Sequence, residues 1–227
     1  MNEFLEILSG LLEGFGTTCL LFSLTLAFAL PLGLIISFGL MSKFLPLKCF
    51  SKLFVWIIRG TPLALQILLA SFIPTLFEST TILWADTLGV KVKDINFILV
   101  TFAFIINYSC YFSEIYRSGI ESIARGQYEA GKVLGLKKGQ IFSKVVLFQV
   151  IRRIVPPMSN EIITLVKDTA LAFTLSVIDL YSTAREIANN SGLFAPILYA
   201  GVFYLIFNGI LSVLFNFIEK KMSYYKE

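Results

Sequence analysis

This sequence predicts an all-α integral membrane fold: five transmembrane helices in a single domain, residues 1–227, with one long charged loop. Three observations carry that prediction. Of the 227 residues, 56% are hydrophobic and only 15% charged, with a mean hydropathy of +0.79, well outside the makeup of a soluble domain. The apolar residues gather into five runs, each able to supply the roughly 20 residues that cross a bilayer. Histidine is absent, which removes the usual neutral-pH general base, the commonest metal ligand and any His-based triad. Side-chain catalysis is therefore not expected, and no cofactor or metal is expected on this chain.

The first run, Phe15 to Met41, would extend about 40 Å as a helix and must tilt, kink or protrude, with Pro31 as the kink point. No basic residue precedes it, so it lacks the n-region of a cleaved signal and is expected to stay as a span. A basic loop with Lys43, Lys48 and Lys52 leads to the second span, Leu53 to Phe77, which carries Arg59-Gly60-Thr61-Pro62 in its first turns. Glu78 to Asp94 is polar. The third span runs from Ile95 to Tyr116, and Arg117 to Arg153 is too charged to cross. The fourth run is Pro156 to Ile178, interrupted by Asp179 to Leu193. The fifth is Phe194 to Ile218, before the tail Glu219 to Glu227.

Fourteen Lys and Arg lie in the basic loop, the long loop and the tail, whereas the opposite side holds only Lys91, Lys93 and Arg185. The positive-inside bias places the long loop and C-terminus in the cytoplasm and the N-terminus outside. The basic residues lie between apolar runs, not on one solvated face, so the formal charge of +4 reads as topology and no nucleic-acid partner is expected. Cys19, Cys49 and Cys110 have neither C-x-x-C spacing nor a companion His, and suggest no disulfide framework or metal site.

Residues 125–157 read as two short amphipathic helices broken near Gly135 to Gly139. In the second, Ile141, Phe142, Val145, Val146 and Phe148 recur at helical spacing. By composition alone this could be an interfacial helix on anionic lipid. The order of residues adds a second reading. Glu129-Ala130, Gly135 and Val145-x-Leu147 resemble the cytoplasmic "EAA" loop of permease subunits of ATP-binding-cassette importers. Arg59-Gly60-Thr61-Pro62 with Gln66 resembles the second-span signature of the polar amino-acid subfamily. Glu114-x-x-Arg117, Gly126-Gln127, Asn160 and Lys167-Asp168-Thr169-x-Leu171 follow in family order. Gly131 stands where a second Ala is usual, Phe148 where a Pro is usual, and Ala170 where a Ser is common.

The resemblance implies a MetI-like transmembrane domain with five spans and a cytoplasmic coupling helix. It implies two permease subunits forming a homo- or heterodimer in a bacterial inner membrane, two ATPase subunits that hold the ATP and Mg²⁺, and an extracytoplasmic binding protein that delivers an amino acid. Glu129, Ala130, Gly131, Leu134 and Gly135 would then form the ATPase interface, with Gly135 supplying a bend. A rigid amphipathic helix suits that role, since it transmits displacement that a disordered loop would absorb. Gly126 to Lys132 mimics a P-loop, but Val133 stands where Mg²⁺ needs a hydroxyl and no strand is expected before it, so nucleotide binding is rejected.

Ionisable residues inside spans are functional candidates because inserting them costs about 2.5 to 3.5 kcal/mol. Arg59 lies near the cytoplasmic side and reads as a snorkelling anchor. Asp168 falls about 18 Å into the fourth span and Glu161, seven residues earlier, shares its face; Asn160 and Thr164 add polarity, while Lys167 points about 100° away. These groups either bind an amino acid's ammonium group or form an interhelical network without substrate. Glu114 and Arg117 are expected to pair, and Gly10-x-x-x-Gly14 to aid helix packing. An ion- or proton-coupled carrier, with Asp168 and Glu161 titrating, is the alternative function; a membrane scaffold would need neither substrate nor the polar fourth helix.

Overall fold

The computed structural model describes residues 2–77, 81–89 and 91–222. Ten α-helices account for most of them, and no strand occurs among the described residues. Helix α1 spans Asn2–Leu40. It is therefore longer than the apolar run from Phe15: its first four turns are amphipathic, and Gly10 and Gly14 bring them against a later helix. A Cβ at Gly14 would meet Thr183 Oγ1 at 2.6 Å and the Asp179 carbonyl at 2.9 Å, and one at Gly10 would meet Ile187 at 3.3 Å. The Gly-x-x-x-Gly pair thus packs helices, as expected. Pro31 lies inside the continuous helix.

The second run is where sequence and structure differ most. Helix α2 spans Leu45–Arg59 and so begins within the expected basic loop, with Pro46 in its first turn. It ends at Gly60, and α3, Leu63–Ala70, leaves at a bend of 102°. The expected uninterrupted span with Arg59 to Pro62 in its first turns is corrected to a broken one. Pro62 has no N–H to donate to the Ile58 carbonyl and disfavours helical dihedrals at Thr61, so the helix cannot run through. A 3₁₀ turn, Pro74–Phe77, follows. Of the expected polar stretch from Glu78, residues 78–80 and 90 lie outside the described residues, and Thr81–Leu88 forms α4.

Helix α5, Val92–Glu121, is the central pillar. Its Val100, Phe104, Tyr108 and Phe112 are buried among Leu21, Phe22 and Ala29 of α1, Ile67 of α3 and Leu165. Helix α1 comes closest at Gly33, where a Cβ would meet Phe112 Cβ and the Ser109 carbonyl, each at 2.9 Å. Helix α6, Arg125–Val133, turns at Gly135, whose φ of +71° is a left-handed value that glycine adopts at least cost. The expected bend at Gly135 is present. From there α7, Lys138–Ile141, passes through one π turn, Phe142–Val146, into α8, Leu147–Asp168. The expected second loop helix is therefore the N-terminal extension of the fourth run, continuous through Pro156 and Pro157, and Gly139 lies inside it.

Beyond Asp168 the chain tightens to a 3₁₀ helix, Thr169–Leu175. The expected interruption from Asp179 to Leu193 is instead helix α9, Leu180–Ser191, capped by the Asp179 carboxylate on the Ser182 amide at 2.9 Å and ended by Gly192 at φ +69°. Helix α10, Ala195–Met222, closes the fold against α1 through Phe15–Phe203 and Phe22–Phe207 ring contacts. Residues 223–227, including the tail's Lys226, lie outside the described residues.

Helices α1, α5 and α10 are long and apolar enough to cross a membrane, and the bent α2–α3 pair adds a broken span. Helix α8 does not meet that measure, because Arg152, Arg153, Glu161, Lys167 and Asp168 all fall within it. Trp56 is 73% exposed, Leu205 72% and Val213 70%, which suits surfaces facing hydrocarbon.

Candidate functional site

The α2–α3 break faces α5 and α8 across an open cavity of about 670 Å³. Its polar wall combines Arg59 and Thr61 at the break, Asn107, Tyr108 and Tyr111 from α5, and Glu161, Thr164 and Asp168 from α8. The expected shared face of Glu161 and Asp168 is therefore present, and Thr164 joins it. Asn160 does not: it is exposed and lies outside the cavity lining. Lys167 is exposed while Asp168 is half-buried, as the helical angle requires.

The break itself explains the spacing of its sequence signature. Pro62 leaves the Ile58 carbonyl without a helical donor, and Gln66 Nε2 supplies one at 2.7 Å while reaching Thr61 Oγ1 at 2.8 Å. Thr61 Oγ1 donates to the Ile57 carbonyl at 3.0 Å. Two side chains thus satisfy the carbonyls that the helix end leaves open, where an unmatched one would be expensive. Asn107 Nδ2 donates to Gln66 Oε1 at 3.0 Å, tying the break to α5. Gly60, Thr61, Pro62 and Leu63 can therefore present themselves to the cavity without a bare backbone.

Arg59 departs from the anchoring expected of it. Its guanidinium lies over the Tyr111 ring, 4.9 Å from the centroid, and it lines the cavity. The same side chain borders a second cavity of about 450 Å³, walled by Lys52, Glu114 and Arg117. There Arg117 binds Glu114 at 2.5 Å and Glu121 at 2.7 Å, so the expected pair exists within a triad.

Sequence reasoning missed Asn107, Tyr108 and Tyr111. Tyr108 donates its hydroxyl to Asp168 Oδ2 at 2.7 Å. The available signal was a run of polar tips, Asn107, Tyr108 and Tyr111, inside an apolar span, where each needs a partner.

The charged loop forms a separate surface. Ile123, Ile141, Val146 and Val150 make a small core with Tyr128 and Leu136 against it. Glu129 and Ala130 are exposed, Val133 is 88% exposed and Leu134 77%. Gly135 is exposed at the turn. Gly131 is placed differently from the interface role expected of it: it is buried, and a Cβ there would meet Ile141 Cγ1 at 2.7 Å. The glycine that replaces the usual alanine lets α6 close on α7, and does not loosen it. Phe148 continues the helix where the usual proline would stand, and is 52% exposed. Gln149 Nε2 donates to Gln127 Oε1 at 3.1 Å, and Arg153 to the Ser122 carbonyl, so the loop is fastened to α8.

Comparison with known proteins gives this arrangement a context. The family described as binding-protein-dependent transport system inner membrane component matches residues 29–224. The L-cystine transport system permease protein of Bacillus subtilis is 33% identical over 226 residues, 99% of this chain and 90% of that protein. The glutamate/aspartate import permease protein of Escherichia coli is 32% identical over 185 residues, covering 81% of this chain and 80% of that one. Among solved structures, an amino acid ABC transporter crystallised with histidines superposes with a TM-score of 0.83 at 26% identity, over 96% of this chain and 97% of that one. The inward-facing MetNI methionine ABC transporter shares the fold at a TM-score of 0.67 and 15% identity, over 98% of each chain.

Proposed function

Because the chain belongs to the family of binding-protein-dependent transport system inner membrane components, we propose that it is the permease subunit of an ATP-driven importer of a polar amino acid. One observation carries the reading: a charged cavity beside a broken helix, set on the same α8 whose cytoplasmic extension seats an exposed coupling helix. Displacement of α6 reaches the cavity wall through α8, and through α5, which leads directly into α6. The amino-acid permeases among its relatives support the substrate class.

In this reading the chain crosses the bacterial inner membrane five times, with α8 as the fourth span shielded by a second permease subunit. The N-terminus is outside and the C-terminus cytoplasmic, as the basic residues favour. Glu129, Ala130, Val133, Leu134 and Gly135 dock on a separate ATPase subunit, which carries ATP and Mg²⁺. An extracytoplasmic binding protein delivers the amino acid, and Glu161, Thr164 and Asp168 receive it. The family match favours this over an ion- or proton-coupled carrier.

The test is uptake by proteoliposomes containing this chain, its ATPase and its binding protein. ATP-dependent amino-acid accumulation is expected, with no ATP hydrolysis by the permease alone. Uptake that persists without ATP and collapses with the proton gradient would overturn the reading.

A further inference from the structure

Arg59 and Glu161 line the central cavity within reach of one another's field, but no ion pair joins them. Among the described residues Arg59 makes no ion pair: its partner is the Tyr111 ring, and the ion pairs present belong to Arg117. Glu161 takes part in no hydrogen bond or ion pair of the described residues either, whereas the neighbouring Asp168 is engaged by Tyr108. A guanidinium and a carboxylate that feel one another but have no directly bonded charged partner are both incompletely matched. Either would gain from a ligand that brings the missing charge.

We propose that Arg59 is the specificity-determining residue for the substrate's α-carboxylate, so that the cavity selects a zwitterion by its main-chain ends. This rests on the importer reading above and assigns within it a residue that the sequence had made an anchor. The Tyr111 ring covers one face of the guanidinium and leaves its N–H edge free, and that edge forms two parallel bonds to a carboxylate. Glu161, on the α8 wall of the same cavity, meets the α-ammonium. The amino acid's side chain then lies in the rest of the lining, where Asn107, Thr164 and Asp168 offer polar partners beside Leu63, Ala64 and Leu171. A lysine would serve less well, because its point charge lacks the fork geometry and stacks poorly on Tyr111.

Binding to the purified permease–ATPase complex in nanodiscs, without the binding protein, tests this. The probes are L-glutamine, L-arginine, L-glutamate and L-cystine, each beside its α-amide. The wild-type complex is expected to prefer the acid of its substrate over the amide by at least about tenfold. Arg59→Gln is expected to erase that preference, weakening the acid by about the same factor and leaving the amide unchanged, with Arg59→Lys intermediate. Glu161→Gln is expected to weaken acid and amide together, because both keep the ammonium. Arg59→Gln that weakens acid and amide equally, keeps the preference, or dissociates the permease dimer would overturn the assignment to Arg59 alone. A wild-type complex that binds no amino acid and drives no uptake of any would remove the importer reading, and this inference with it.

Discussion

Tyr108 donates its hydroxyl to Asp168 Oδ2 at 2.7 Å, and the residue before it, Asn107, donates to Gln66 at 3.0 Å. Two adjacent side chains of α5 therefore hold two helix discontinuities. One is the α2–α3 break at Gly60 to Pro62, the other the change from α to 3₁₀ at Asp168–Thr169. The polar cavity lies between them.

Separating the two partners gives the first prediction. Tyr108→Phe leaves Asp168 without its donor and is expected to lower stability by about 1 to 3 kcal/mol, read as thermal unfolding in detergent. Asp168→Asn keeps an acceptor for Tyr108 and removes the charge, so it should fold and transport poorly. Wild-type uptake rate and affinity in Asp168→Asn would remove Asp168 from the substrate site.

Gln66 is expected to matter through a backbone carbonyl. In Gln66→Leu the Ile58 carbonyl loses its shortest donor and keeps only the longer contacts from Thr61, while Asn107 loses its acceptor, at a cost of about 1 to 3 kcal/mol for the buried amide left open. The variant should unfold at lower temperature and expose the α2–α3 break to cysteine labelling at position 63. An unchanged unfolding temperature would mean that water replaces the side chain.

Gly131→Ala places a methyl group 2.7 Å from Ile141 Cγ1. It should push α6 from α7, costing about 1 to 3 kcal/mol, and reduce transport-coupled ATPase activity more than overall stability. Ile141→Ala, which removes Cγ1 and the other two atoms of the contact, is expected to restore part of the coupling. No rescue, with coupling lost, would place Gly131 in direct contact with the ATPase.

Val133 and Leu134 stand exposed on the coupling helix with no role in the permease core. The double substitution Val133→Ser with Leu134→Ser should leave unfolding of the permease within about 0.5 kcal/mol of wild type. Recovery of the ATPase with the tagged permease is expected to fall at least tenfold, since buried apolar anchors dominate such interfaces. Full recovery would move the docking surface elsewhere.

At the other end, Gly14→Val forces a side chain into the Asp179 carbonyl and Thr183. Because one of those obstacles is backbone, α1 and α9 must separate, and a loss of about 2 kcal/mol or more is expected in thermal unfolding. An unaltered transition would show that the two helices part readily.

The sequence by itself determined the class of this protein. Its apolar runs and sparse charge required a membrane, the Glu129-Ala130 and Gly135 pattern marked the cytoplasmic loop, and the seven-residue spacing of Glu161 and Asp168 put both on one face of α8. Those are local properties, written in periodicity, charge and a glycine that can turn left-handed. Only the tertiary structure decided what meets them. It turned the second run into two helices at 102°, swung Arg59 over Tyr111, gave Asp168 to Tyr108, and buried Gly131 against Ile141. Partners 41 and 60 residues apart leave no periodic trace in the chain, because they are chosen by which helix faces pack together and by the cost of leaving a polar group unmatched inside a membrane.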